Sequence, residues 1–196
     1  LVANDKPTID RAFKKWADNI IANGVPHNNW DLFQADFIAK IALILDDDKA
    51  YTDGKGRQYY LDHIVNQSSI RQWGMTRLID FGFDPRAKTW YESPGYSTTV
   101  LGDLSQFANR LDRQAGIDLF ALRPVIQEAV AAQAEYLFPN RMIAGFGDTH
   151  PNYLSTKSID QLADYARRHK LTATVKAMEN LKAAVSPDAP AAAAER

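Results

Sequence analysis

Side chains able to do chemistry gather in three short stretches: Pro26-His27-Asn28-Asn29-Trp30-Asp31, Trp90-Tyr91-Glu92-Ser93-Pro94-Gly95-Tyr96-Ser97 and Gly145-Phe146-Gly147-Asp148-Thr149-His150. Each lies beside a predicted helix end. In the first, Asn28 or Asn29 can cap a helix through its amide, with Trp30 as a hydrophobic anchor. In the second, Ser93-Pro94-Gly95 is turn chemistry and Tyr96 is an aromatic at a helix start. The third has the glycines of a phosphate loop without its lysine and Ser/Thr, which excludes that reading. Asp31, Glu92 and Asp148 lie in the same stretches and offer the paired carboxylic acids that hydrolysis of a glycosidic bond needs. Arg71, Arg77, Arg86 and Lys88 lie near Trp73 and Trp90 in sequence. They offer cations for carboxylate or sulfate beside aromatic faces for sugar rings, and read equally as solvated charge around core tryptophans. His27, His63, His150 and His169 show no ligand spacing and cysteine is absent. No transition metal, cofactor, disulfide or thiol nucleophile is therefore expected.

These stretches have to be held by helices, because apolar residues recur with a helical period and almost nowhere alternate with period two. From Thr8, the residues Ile9, Phe13, Trp16, Ile20 and Ile21 share a face until Asn23-Gly24-Val25-Pro26 stops the helix. Leu32, Phe33, Phe37, Ile38, Ile41 and Leu45 then follow the Asn28-Asn29 cap and run to Asp46-Asp47-Asp48. Tyr59, Tyr60, His63 and Ile64 form a third face, and Ile70, Trp73, Met75, Leu78 and Ile79 a shorter one. A Gly-, Pro- and aromatic-rich loop runs from Phe81 to Pro94, where a rigid scaffold usually carries its chemistry. Helices resume near Ser97 and end at Gly116, run again from Val125 to Leu137, and close with Ser158–Arg168 and Thr172–Ala184. The pattern is all-α: seven or eight helices in antiparallel hairpins, with long loops concentrated at one functional end.

The chain has 196 residues, a formal charge of -1, 45% hydrophobic and 24% charged residues. These are globular values that exclude disorder or a collagenous chain, and a near-zero charge argues against nucleic acid as a partner. No apolar run reaches the length of a membrane span. The N-terminus carries neither an initiator Met nor a signal pattern and reads as mature, excised or truncated. Residues 186–196 form an Ala/Pro tail expected to be disordered, leaving 1–185 as the folded part.

The stretch Trp90-Tyr91-Glu92-Ser93-Pro94-Gly95-Tyr96-Ser97, leading into Leu101, Leu104 and Phe107, resembles the Glu-Ser-Pro-x-Tyr segment of the heparinase II/III-like polysaccharide lyases. His27-Asn28-Asn29-Trp30 before Phe33-Gln34-Ala35 is similar to that family's Asn-Asn-His helix start. Gly116-Ile117-Asp118-Leu119 and Gly145-Phe146-Gly147-Asp148 follow in the family's order. The resemblance runs from about Asn23 to His150, most of the chain. Two positions depart: Trp30 stands where the family commonly has His, and Ser97 where a His often follows the Tyr.

The resemblance implies part of an incomplete (α/α) toroid, with a β-sandwich in the parent enzyme that is absent from this sequence. It implies a periplasmic or secreted enzyme acting on an anionic polysaccharide, a glycosaminoglycan such as heparin or heparan sulfate, by β-elimination. That chemistry removes the C5 proton of a uronate, which is poorly acidic while the adjacent carboxylate keeps its charge. An amide at a helix N-terminus can neutralise the carboxylate and stabilise the enolate-like state, a role for Asn29 with Asn28 beside it. Tyr96 then serves as base and returns a proton to the leaving O4, with His27 as a possible imidazole helper. Trp30, Arg71, Trp73, Trp90, Glu92 and His150 are the candidate substrate contacts. A toroid glycoside hydrolase using paired carboxylates, and a non-catalytic glycan-binding module, are the two alternatives.

Overall fold

The computed structural model describes residues 5–147, 149–150 and 152–186. Among the described residues the regular structure is helical, with only the isolated bridges Phe83–Trp90, Leu137–Ile143 and Met142–Tyr153 outside it. The all-α expectation holds. Of the tail predicted at 186–196, residues 187–196 lie outside the described residues. The chain divides into two compact units, Leu1–Gly82 and Phe83–Arg196.

The first unit contains α1 (Lys6–Asn23), α2 (Asn29–Ile44), α3 (Arg57–Val65) and α4 (Met75–Gly82). Its centre is α2, whose Leu32, Ala35, Ile38, Ala39, Ile41 and Ala42 are buried together with Tyr60, Ile64, Leu78 and Ile79. Helix α1 departs from its sequence pattern. The buried side chains are Asp10, Lys14 and Ala17, while Trp16 on the predicted apolar face is exposed. The reason is a polar staple with the segment that follows α2. Lys14 Nζ meets Asp53 Oδ1 at 2.6 Å, the Tyr51 hydroxyl donates to Asp10 Oδ2 at 2.7 Å, and Lys6 Nζ lies 2.6 Å from Asp10 and 2.8 Å from Asp46. Helical spacing cannot reveal partners some forty residues away.

Helix α4 also begins later than the apolar spacing predicts, leaving Ile70 86% exposed and Trp73 outside it. Ser69 Oγ accepts the backbone N–H groups of Arg71 and Gln72 at 3.1 and 2.9 Å, and Ser68 Oγ that of Gly74 at 3.0 Å. Side chains thus take the N–H groups a helix would use, the usual way serine diverts a chain from helix.

The second unit is built on α5 (Pro94–Ala115), followed by α6 (Leu119–Leu122), α7 (Val125–Ala132), α8 (Lys157–Arg168) and α9 (Thr172–Val185). Pro94 opens α5 at a position where its missing N–H costs nothing, and Gly116 closes it in the left-handed conformation at φ 68°. Leu101, Leu104, Phe107 and Leu111 of α5 are buried, as are Ile159, Leu162 and Ala166 of α8, which packs along it. The predicted helix from Val125 to Leu137 is α7 followed by a 3₁₀ turn, Gln133–Tyr136.

Candidate functional site

The N-terminus of α2 is set by Asn28, the N-cap, whose Oδ1 accepts from Trp30 N at 2.9 Å. Asn29 is then the first helical residue, half-buried, and its amide makes no hydrogen bond among the described residues. Asn28 is therefore occupied by the helix, while the Asn29 amide stands at the end of α2 where the dipole favours an anion. Trp30 beside it is 60% exposed.

Beneath this turn lies a buried polar support. Asp31 is fully buried, and its carboxylate accepts from Trp73 N at 3.1 and 3.2 Å and from His27 N at 3.4 Å. Burial pushes its pKa up to about 7, against the opposing effect of these N–H groups and of the Gln72 amide. Gln72, also fully buried, donates through Nε2 to the Asp31 and Trp73 carbonyls and accepts from Gln34 Nε2 at 3.0 Å. These contacts tie the 72–73 segment to the start of α2 and hold His27 in the left-handed region at φ 73°. A fully buried Asp31 cannot flank a glycosidic bond, so the structure takes it away from the pair a hydrolase would need.

His27, Trp73 and Arg77 are brought together. The His27 ring lies 4.0 Å from Trp73, and the Arg77 guanidinium lies 3.7 Å from the Trp73 ring centroid. Trp73 is 8% exposed, so its ring supports the loop rather than facing solvent. Arg71 is exposed, and its side chain makes no hydrogen bond or ion pair among the described residues.

In the second unit, Tyr96 sits in the first turn of α5 and is 43% exposed, its hydroxyl making no hydrogen bond among the described residues. Trp90 is buried and donates through Nε1 to Glu92 Oε2 at 3.0 Å, while its backbone N–H donates to Ser97 Oγ at 3.1 Å. Glu92 is thus a partner of Trp90, and Ser97 a brace for it. His150 is exposed, and Asp148 lies outside the described residues.

Thr149 is the residue that sequence reasoning missed. Its Oγ1 accepts from Gly95 N at 3.1 Å and lies 2.6 Å from Ser93 Oγ, so the third stretch is latched onto the second immediately before Tyr96. A Cβ on Gly95 would come within 2.7 Å of Thr149 Cγ2, so only glycine admits the latch. The glycine was legible as a turn, but its partner 54 residues away was not.

Two other features stand apart from the candidate residues. A cavity of about 660 Å³ along α1 is lined by Lys6, Asp10, Lys14 and Asp53, whose charges are already paired with one another. Asp112, Asp118 and His169 present ligand atoms within 4.8 Å of one another. Arg168 and His169 hold Asp112, however, while the Tyr165 hydroxyl and Ala121 N hold Asp118, so these groups join α5, α6 and α8 as a hydrogen-bond network.

The chain is all-α, and among the described residues the Asn29 amide at one helix N-terminus and the Tyr96 phenol at another make no hydrogen bond. Residues 86–188, over half of the chain, match the family described as endo-acting ulvan lyase 2nd domain, and the chain belongs to that family. The finding supports a polysaccharide lyase family and does not carry the narrower heparinase II/III-like assignment. Trp90, Glu92, Tyr96 and His150 fall inside the match; His27, Asn28, Asn29, Trp30, Arg71 and Trp73 precede it. No curated protein and no solved structure matches the chain.

Proposed function

We propose that this chain forms part of the catalytic machinery of an endo-acting polysaccharide lyase that cleaves a uronate-containing polymer by β-elimination. The observation that carries the reading is Tyr96: a phenol exposed in the first turn of α5, unpartnered among the described residues, inside the segment that matches an endo-acting ulvan lyase domain. In this reading Tyr96 removes the C5 proton and returns one to the departing O4. Asn29 hydrogen-bonds the uronate carboxylate, so that charge developing on it is met by a donor already in place. His27 and Trp73 support the turn carrying Asn29, Trp30 offers the sugar an open ring face, and Arg71 offers a carboxylate or sulfate an unpaired cation.

Ulvan is the substrate favoured by the family, and heparin or heparan sulfate the alternative favoured by the Glu-Ser-Pro-x-Tyr resemblance. The helical hairpins are read as part of an incomplete (α/α) toroid whose parent carries a β-sandwich, in a periplasmic or secreted enzyme. The test is product chemistry: the protein is incubated with ulvan and with heparan sulfate, and unsaturated uronate is followed by ultraviolet absorbance beside total reducing ends. Both signals rising together on one polymer is the expected result. Reducing ends without the absorbance would mean hydrolysis, and neither signal on any uronate polymer would leave a glycan-binding module.

A further inference from the structure

A cavity of about 330 Å³ opens beside the start of α5, with Glu92, Pro94 and Ser97 among its lining residues from one segment and Glu135, Phe138 and Phe146 from another. Its volume is at the small end of ligand pockets, which run about 300–1,000 Å³, and suits one ring rather than a length of chain. Phe138 and Phe146 are 54% and 65% exposed, an apolar pair left open to solvent. Flat aromatic faces of this kind pack against the C–H face of a pyranose.

The charged side chains among the described lining residues, Glu92 and Glu135, have one sign, beside the neutral hydroxyls of Thr89, Ser97 and Tyr136. Glu92 uses Oε2 for the Trp90 indole, and Glu135 makes no hydrogen bond or ion pair among the described residues. No Lys, Arg or His is among the described lining residues. Ionised carboxylates accept hydrogen bonds and donate none, so they suit sugar hydroxyls and repel a sulfate or a second carboxylate.

We propose that this cavity is a subsite for an uncharged sugar residue of the polymer, one bearing free hydroxyls and no sulfate, and that Glu135 determines this specificity. The inference rests on the lyase reading of Tyr96 and deepens it. Within the second unit, the proposed chemistry of Tyr96 acts on the charged uronate while the cavity selects against charge. Phe138 and Phe146 hold the ring, and Glu135 and Glu92 take its hydroxyl protons as hydrogen bonds.

The experiment compares ulvan with chemically desulfated ulvan on the intact protein and on the Glu135→Gln and Phe146→Ala variants. Glu135→Gln keeps an acceptor oxygen and removes the charge at an exposed position, so the fold is not at risk. The ratio of KM on sulfated polymer to KM on desulfated polymer is expected to fall about threefold in this variant, the size of a screened charge interaction. Phe146→Ala is expected to raise KM on both polymers with kcat unchanged, and Phe138→Ala to repeat it. An unchanged KM ratio in Glu135→Gln, or an unchanged KM in both phenylalanine variants, overturns the subsite. If the wild-type protein releases no unsaturated uronate from either polymer, the lyase reading fails separately. The subsite is then read by calorimetric titration with sulfated and desulfated ulvan oligosaccharides, where the same fall in the Kd ratio is expected and its absence overturns the proposal.

Discussion

Asn28 and Asn29 are neighbours of the same residue type in different settings, and the difference is one position of helix geometry. The N-cap amide is consumed by Trp30 N, while the next amide makes no hydrogen bond among the described residues. Asn29→Ala is therefore expected to leave helicity and melting temperature close to wild type while lowering kcat on ulvan by about 10²–10³-fold, the usual effect of removing one donor to a developing oxyanion. Circular dichroism and initial rates of unsaturated-uronate formation check it. Much at this scale was legible, because an Asn pair followed by an apolar helical run announces a cap. The sequence could not show that Trp73 and Trp90 are buried supports. Tryptophan beside arginine reads the same in a core and at a sugar platform until burial is known.

At the level of elements, α5 is positioned by its own sequence and by a loop that returns after α6, α7 and the 3₁₀ turn. Pro94 and Gly116 announce its ends, and its apolar face predicts its packing on α8. Thr149 supplies what local signals lack: an acceptor for Gly95 N that fixes the turn carrying Tyr96. Thr149→Val keeps the shape and removes the hydroxyl, so kcat is expected to fall about tenfold with a stability loss of about 1 kcal/mol, the net worth of a hydrogen bond. Thr149→Ser restores the acceptor and most of the rate. Steady-state kinetics beside urea unfolding distinguishes this from a general loss of fold, because Ser and Val would then behave alike. Helix α1 teaches the same lesson from the other side. Its apolar period was real, yet the buried face is set by Asp10 and Lys14, whose partners lie beyond the reach of any local pattern.

For the whole molecule, the burial of Asp31 and of His63 gives a stability that depends on pH in opposing ways. Asp31 has a folded pKa of about 7 against an ordinary 3.8, so the folded chain keeps a proton that the unfolded chain has released. Its contribution is fully present below pH 3.8 and is lost as pH rises towards and through 7. Burial lowers the pKa of His63 below 6.5, so its contribution is present above that value and is lost as pH falls through its folded pKa. Asp31→Asn removes the first effect alone: its stability relative to wild type should increase between pH 5 and pH 8, as read by denaturant unfolding at both values. A difference that stays constant with pH would contradict the buried, proton-holding carboxyl. The helical class and the order of helices were legible because a repeating 3.6-residue period survives without tertiary context, whereas the bonds of Asp31 to Trp73 and of Thr149 to Gly95 are long-range and leave no period at all.

The proposed elimination turns on Tyr96. The most direct measurement is the single-turnover rate of unsaturated-uronate formation from ulvan by Tyr96→Phe, taken beside the affinity of the same variant for the polymer. Loss of the phenolic hydroxyl is expected to lower the rate by at least about 10²-fold, the scale of general acid–base catalysis, while Kd changes little. A Tyr96→Phe protein that forms unsaturated uronate at the wild-type rate would contradict the account.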